Sequence, residues 1–179
     1  MGDERLRLFC GLQLPEETVD ALVAWQQRHL HGGRVVPVGN LHVTLVFLGT
    51  RPAGEVPAIA RELAEATGAA APVLLSPVRY RETRSVGMLM LDDVGGAATA
   101  LAADLGERLE RLGAYRRESR PWLPHITVLR FRERPRLDPP TPELGEFRAV
   151  RSALYRSALG RNSAGSSGAR YDVLESAPF

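Results

Sequence analysis

Two apolar stretches of the chain share one pattern, in which a histidine and a threonine interrupt an otherwise hydrophobic run. The first is NLHVTLVFLG, with His42 and Thr44, and the second is PHITVLRF, with His125 and Thr127. Side chains alternate between the two faces of a strand, so each histidine shares a face with the threonine two residues later. If the two strands face each other, two imidazoles and two hydroxyls meet in one cleft.

The same order of elements precedes each of these H-x-T strands. A strand and a helix come before NLHVTLVFLG, and another strand and helix come before PHITVLRF. This recurrence predicts two related halves within one domain over residues 1–179, in an α+β fold, with an α/β fold of mixed sheets as the alternative. The predicted strands outside the two motifs cover 5–14, 71–80, 86–93, 147–157 and 169–179, and the predicted helices cover 15–31, 55–67 and 97–112.

Two segments have the composition of connections. Proline is concentrated in ERPRLDPPTPELG, residues 133–145, which we expect to link the second motif to the last strands. Small residues dominate GRNSAGSSGAR, residues 160–170, which we expect to form a loop because it has few side chains to bury.

The overall composition is that of an ordinary globular protein. Of the 179 residues, 44% are hydrophobic and 25% are charged. The chain begins with acidic residues and has no long apolar run, so we expect a cytoplasmic protein that does not associate with membranes. Its one cysteine, Cys10, excludes an intramolecular disulfide and a thiolate metal cluster, and we interpret it as a buried apolar residue. We also expect a monomer.

Positive charge is concentrated around the second motif. Residues 116–136 contain seven arginines and two acidic residues, whereas the formal net charge of the whole chain is only +2. Such a cluster raises the local concentration of anions, although a solvated charged loop explains it equally well.

A pair of imidazoles in one cleft can perform general acid–base catalysis. With an unperturbed pKa of about 6.5, one histidine can be protonated while the other is neutral near pH 7. One then donates a proton to a leaving oxygen and the other activates water. A threonine hydroxyl can donate a hydrogen bond to a phosphoryl oxygen. The residues alone do not decide which histidine is the acid.

Other kinds of site fit the sequence less well. Two distant histidines are half of a tetrahedral metal site, and the spacing of Asp92 and Asp93 does not link them to these histidines. No G-x-S-x-G motif indicates a serine hydrolase. A single histidine is usually a structural side chain, and we interpret His29 and His31 in this way. The repeated H-x-T pattern favours a functional pair.

Several residues near the motifs are candidates for binding an anionic ligand or a nucleobase. Arg130 lies five residues after His125, so a regular strand would place it on the opposite face; either a bulge or the twist of the strand brings it round, or it acts from the rim. Trp122 is a candidate for stacking on a nucleobase. Phe47 is a second candidate for stacking, but we expect it in the core, because it lies on the face opposite His42 if the strand is regular. A further possible rim consists of Tyr80, Arg81 and Arg84.

The motifs and their order resemble the two-histidine phosphoesterases, specifically the RNA 2′,3′-cyclic phosphodiesterases, also called 2′-5′ RNA ligases. The resemblance covers nearly the whole chain, from RLFCGLQLPEE through the two H-x-T strands to LYRSALG and ARYDVL. It implies a bilobal α+β fold with two pseudo-symmetric halves. Antiparallel or mixed sheets would line a central cleft, with helices outside.

This resemblance also implies a reaction and a role for each motif residue. The reaction is hydrolysis of a 2′,3′-cyclic phosphate on RNA, or on a small cyclic nucleotide, to a 2′-phosphomonoester without metal or cofactor. His42 would protonate the leaving 3′-oxygen, and His125 would activate water. Thr44 and Thr127 would bind phosphoryl oxygens, and Arg130 would be a supporting cation. Reverse 2′-5′ ligation is chemically allowed.

Two alternatives remain open at this stage. One is a non-catalytic module that binds RNA ends, and the other is the same chemistry on a different cyclic or 2′-5′-linked nucleotide. Val46 and Leu123 stand where relatives often carry polar or charged residues, so we expect a less basic rim than usual.

Overall fold

The computed structural model describes residues 4–161 and 167–179. These residues form nine strands, three α-helices and two short 3-10 helices, at Val38–Asn40 and Ala53–Glu55. The strands are β1 Arg5–Gln13, β2 Arg34–Val35, β3 Val43–Pro52, β4 Leu74–Glu82, β5 Val86–Val94, β6 His125–Arg130, β7 Phe147–Arg148, β8 Arg151–Arg161 and β9 Ser167–Pro178; the helices are α1 Glu16–His29, α2 Val56–Ala69 and α3 Ala97–Arg111.

The strands form one sheet with the two H-x-T strands at its centre. The order is β7-β4-β5-β6-β3-β1-β8-β9, with β2 paired to β6, and every pairing is antiparallel. Strands β4 to β7 lie on one side of the β3–β6 junction, and β1, β8 and β9 lie on the other. The predicted α+β class with two halves is therefore confirmed, and the sheet is antiparallel throughout its described part.

The helices pack on one face of this sheet. Helix α2 packs against β8 and β9, and α3 packs against β3 and β5. On α1, the side chain of Gln26 donates a hydrogen bond to the carbonyl of Val128 in β6. Glu16 and Glu17 in the first turn of α1 and Arg28 in its last turn suit the helix dipole. The opposite face of the sheet is left to the H-x-T side chains.

None of the helices in residues 4–161 and 167–179 is long and apolar enough to cross a membrane.

The last two strands differ from the sequence prediction. The segment predicted as one strand, 147–157, is divided into β7 and β8. The predicted loop over 160–170 is shorter than expected, because strands take up both of its ends. Strand β8 continues to Arg161 and β9 begins at Ser167, with Gly160 opposite Gly168. Residues 162–166 of that predicted loop lie outside the described residues.

Candidate active site

The register between β3 and β6 brings the two H-x-T motifs together. Val43 pairs with Ile126, and both side chains are fully buried on the helix side of the sheet. In an antiparallel pair, residues on either side of such a pair face each other across the strands. His42 therefore lies level with Thr127 and Thr44 level with His125, and the four side chains share the opposite face. The predicted convergence of the motifs is present in the structure.

Each histidine ring is oriented by a backbone carbonyl two residues earlier. The Nδ1 atom of His42 lies 2.8 Å from the carbonyl oxygen of Asn40, and that of His125 lies 2.9 Å from the carbonyl oxygen of Leu123. A carbonyl oxygen can only accept, so Nδ1 carries the hydrogen in both rings. In both motifs Nε2 is thus the nitrogen available for a proton transfer.

The two Nε2 atoms have different surroundings. In His42, Nε2 lies 2.8 Å from the hydroxyl oxygen of Thr44. Because Nδ1 holds the hydrogen of the neutral ring, Nε2 accepts this bond and the Thr44 hydroxyl donates it. Within the described part of the chain, Nε2 of His125 has no hydrogen-bond partner, and neither has the hydroxyl of Thr127. In the first motif the histidine and the threonine are hydrogen-bonded to each other, whereas in the second motif the same atoms face the cleft without such a bond.

Aromatic side chains surround His42. The rings of Phe9, Tyr171 and Tyr155 have centroids 4.8, 5.4 and 5.7 Å from the imidazole. This burial is the main reason why the pKa of His42 is lowered to about 4, and it outweighs the hydrogen bond to Asn40, which raises the pKa. The neighbouring His125 and Arg130 lower it further. In the unliganded site, His42 is therefore neutral at pH 7.

A bulge in β6 places Arg130 on the face of the histidines. Thr127 pairs with Met88 and Leu129 pairs with Gly87, so Val128 is an extra residue relative to β5. This shift reverses the alternation after Val128. The guanidinium Nη2 of Arg130 lies 3.4 Å from the hydroxyl of Tyr171, which in turn contacts His42. Of the alternatives that the spacing of Arg130 left open, the structure shows the bulge.

Strand β3 has a bulge at the corresponding position. Thr44 pairs with Gly11 and Val46 pairs with Cys10, so Leu45 is the extra residue. Phe47 is consequently 43% exposed on the cleft face, and the expectation that it lies in the core is wrong. The guanidinium of Arg7 stacks 4.7 Å from the centroid of its ring. Val46 is only 4% exposed, so this position belongs to the core and not to the rim.

Trp122 connects the two halves. Its indole N–H donates a 3.0 Å hydrogen bond to the backbone carbonyl of Thr44, and its half-buried ring packs against the core. The contact fixes the segment before β6 against β3. Stacking of Trp122 on a nucleobase stays a prediction.

A cationic cavity of about 290 Å³ opens beside His42. Its wall includes Asn40 and Tyr171, together with Arg34, Arg130 and Arg170. The Asn40 side chain holds β9 against this wall, because its amide donates 2.7 Å to the carbonyl of Ala169 and its oxygen accepts from the backbone N–H of Tyr171 at 3.3 Å. Three arginines suit an anionic ligand with a small polar or aromatic body.

The arginine-rich segment does not act as one patch. Arg117 pairs with Glu107 and Glu110 on α3, and Arg134 pairs with the buried carboxylate of Glu82. Arg117 and Arg134 of the predicted positive cluster are therefore engaged by carboxylates, whereas Arg130 lines the cavity beside His42. Among the described residues, no group of three or more His, Cys, Asp or Glu is placed to hold a metal ion.

Several residues at the site were not identified from the sequence. They are Phe9, Gly11, Asn40, Tyr155 and Tyr171. A Cβ on Gly11 would lie 2.9 Å from the carbonyl oxygen of Val43 and 3.1 Å from Cδ2 of His42, so this position needs glycine. A glycine inside an apolar strand signals such a close approach. Tyr155 and Tyr171 have no local signal, since β8 and β9 reach His42 only in the folded sheet, and Phe9 reaches it in the same way from β1.

Comparison with known proteins agrees with this geometry. The family model described as LigT like Phosphoesterase matches residues 12–79, which include the first H-x-T motif. An RNA 2′,3′-cyclic phosphodiesterase from Thermus thermophilus is 32% identical over 95% of this chain and 88% of its own length. The chain belongs to the LigT-like phosphoesterase family.

Other members of the LigT-like family extend the match. The RNA 2′,3′-cyclic phosphodiesterase of Escherichia coli is 29% identical over 88% of this chain and 90% of its own length. The crystal structure of E. coli LigT complexed with 3′-AMP has 26% identity and a TM-score of 0.80, and the match covers 98% of each chain. The bilobal LigT-like fold implied by the resemblance is therefore confirmed.

Proposed function

We propose that this chain is a phosphodiesterase that hydrolyses the 2′,3′-cyclic phosphate at an RNA end to a 2′-phosphomonoester. His42 and His125 are the catalytic pair in this proposal, and no metal takes part. The observation that carries it is the β3–β6 register, which sets two imidazoles on one face, each held through Nδ1 so that Nε2 is the nitrogen that can transfer a proton. The names of the two bacterial relatives support the substrate class.

The roles of the residues follow from the chemistry of the cyclic ester. His125 removes a proton from water through Nε2, and the resulting oxygen attacks phosphorus. The bond between phosphorus and the 3′-oxygen breaks, and that oxygen takes a proton from Nε2 of His42. Thr44, Thr127 and Arg130 bind the phosphoryl oxygens and stabilise the negative charge of the transition state.

Substrate binding prepares His42 for its role as the acid. The ring is neutral in the unliganded site because its pKa is lowered to about 4. A phosphate anion next to the ring favours the protonated form and raises this pKa. Once Nε2 is protonated it no longer accepts from Thr44, so the Thr44 hydroxyl becomes free to donate to a phosphoryl oxygen. The hydrogen bond seen at 2.8 Å is thus the resting state of a substrate-binding group.

An oligoribonucleotide ending in a 2′,3′-cyclic phosphate, incubated with the protein in EDTA, tests this proposal. Separation of the products distinguishes a 2′-phosphate from a 3′-phosphate. We expect the 2′-phosphate, undiminished by the chelator, and its loss in His125→Ala but not in His31→Ala, which removes an exposed histidine outside the site. Tight binding without product would instead indicate the RNA-end-binding module. The assignment of residues 1–179 to one domain, the monomeric state and the cytoplasmic location stay predictions.

A further inference from the structure

The cleft face continues beyond His125 onto β5. Met90 pairs with His125 and Met88 pairs with Thr127, so both methionines lie on the same face as the second motif. They are half-buried, whereas Leu89 between them is fully buried on the helix side. The two methionines therefore form a partly exposed apolar surface that extends from the candidate active site onto β5.

A third bulge brings two arginines to this face. In β4, Pro77 pairs with Leu91 and Arg79 pairs with Met90, so Val78 is an extra residue and reverses the alternation. Arg81 pairs with Met88 in the same way. The residue between the arginines, Tyr80, packs against the core on the other face.

Both arginines are available to a ligand. Arg79 and Arg81 are exposed, and neither side chain makes a hydrogen bond or an ion pair with any residue in the described ranges. Neighbouring strands lie about 4.8 Å apart, which puts the backbone of Arg79 roughly 10 Å from that of His125, two strands away. Adjacent nucleotides of one strand can bridge this distance. We call Arg79, Arg81, Met88 and Met90 the Met/Arg surface.

We propose that the Met/Arg surface binds the single-stranded RNA on the 5′ side of the cyclic phosphate. This inference rests on the proposed function. It extends the part of the RNA that the protein binds from the terminal nucleotide to the nucleotides before it. The arginines complement the RNA phosphates in charge, and the methionines offer polarizable apolar contact to bases. Because methionine makes no directional contact with a base edge, this binding tolerates any sequence.

The position of the surface relative to the cavity supports this path. The cavity beside His42 is walled by β9, by the segment before β3 and by Arg130 at the end of β6, whereas the Met/Arg surface lies on β4 and β5, on the opposite side of β6 from β3. An RNA chain whose last nucleotide reacts between the two histidines can leave the site across β6 and β5 to β4. The surface is continuous with the site through the Met90–His125 pair.

The test compares two substrates and three variants. The substrates are a short oligoribonucleotide ending in a 2′,3′-cyclic phosphate and adenosine 2′,3′-cyclic monophosphate. The measured quantity is the ratio of kcat/KM for the oligoribonucleotide to kcat/KM for the mononucleotide. We expect R79Q/R81Q to lower this ratio by about tenfold, because two exposed ion contacts contribute about that much to binding. R79K/R81K keeps the charge and should retain most of the ratio. The matched control R61Q/R111Q removes two exposed arginines from α2 and α3 and should leave it unchanged.

The outcomes separate this inference from the proposed function. If neither substrate is hydrolysed by the unaltered protein, the proposed function fails. If both are hydrolysed but R79Q/R81Q keeps the full ratio, or R61Q/R111Q lowers it equally, the Met/Arg surface is not the binding site. Binding of an oligoribonucleotide with a 2′-phosphate end gives a second readout. The slope of log K against log salt concentration should fall by about 1.4 in R79Q/R81Q, about 0.7 for each RNA phosphate that the variant no longer neutralises.

Discussion

The two H-x-T motifs have the same local backbone but opposite surroundings. Each has its ring oriented by the carbonyl two residues earlier, and each is followed by a bulge immediately after the threonine. His42 is packed among aromatic rings, whereas His125 lies beside Met90 and the open Met/Arg surface. Equal motifs in unequal environments are a general means of separating an acid from a base.

The two carbonyls that orient the rings belong to segments that are anchored by different contacts. The side chain of Asn40 binds β9 at two backbone positions, so its carbonyl is fixed relative to the cavity wall. The corresponding residue in the second motif, Leu123, has a side chain that is 53% exposed. The segment before His42 is thus anchored to β9 by Asn40, whereas the segment before His125 is anchored to β3 by the hydrogen bond of Trp122 to Thr44.

The largest effect is expected from removing either imidazole. His42→Ala and His125→Ala should each lower kcat for a cyclic phosphate by about 100- to 10,000-fold, which is the usual contribution of general acid or base catalysis. Steady-state kinetics measure this loss, and thermal unfolding confirms that each variant is folded. Near wild-type hydrolysis by His125→Ala would show that the second motif does not supply the general base.

The burial of His42 predicts a pH dependence of stability. An unfolded chain protonates this histidine below pH about 6.5, whereas the folded chain keeps it neutral until about pH 4. The free energy of unfolding should therefore be fully developed above pH 6.5 and fall between pH 6.5 and 4, by on the order of 3 kcal/mol. Urea unfolding at several pH values should show a weaker fall in His42→Gln. An identical pH dependence in both proteins would contradict the neutral, buried state of the ring.

The threonines should have smaller and unequal effects. In the proposed mechanism, Thr44→Val and Thr127→Val each remove a donor to the phosphoryl group, so each should lower kcat/KM by about tenfold. Only Thr44→Val also removes a hydrogen bond to the neutral form of His42, and this loss should raise the pKa of that ring. NMR titration of the His42 ring separates the two variants. A larger rise in Thr127→Val than in Thr44→Val would reverse the proposed asymmetry.

The face of a strand on which a side chain lies could be predicted from the sequence, but only as far as the first bulge. The shared face of His42 and Thr44, and that of His125 and Thr127, follows from two-residue spacing alone. The same rule failed at Phe47, because the bulge at Leu45 reverses the alternation before that residue. At Arg130 a bulge was one of the alternatives that the spacing left open, and its presence and its position at Val128 are set by the pairing of β6 with β5.

The sequence by itself determined the α+β class, the two motif strands and the kind of proton chemistry that their side chains can perform. The tertiary structure decided the rest. It gave His42 and His125 different environments, because Tyr155 and Tyr171 come from strands more than a hundred residues away in the chain. It also exposed Arg79 beside the site, through a bulge that local spacing does not encode. Alternation is a property of one strand, whereas bulges and burial depend on which strands lie next to it.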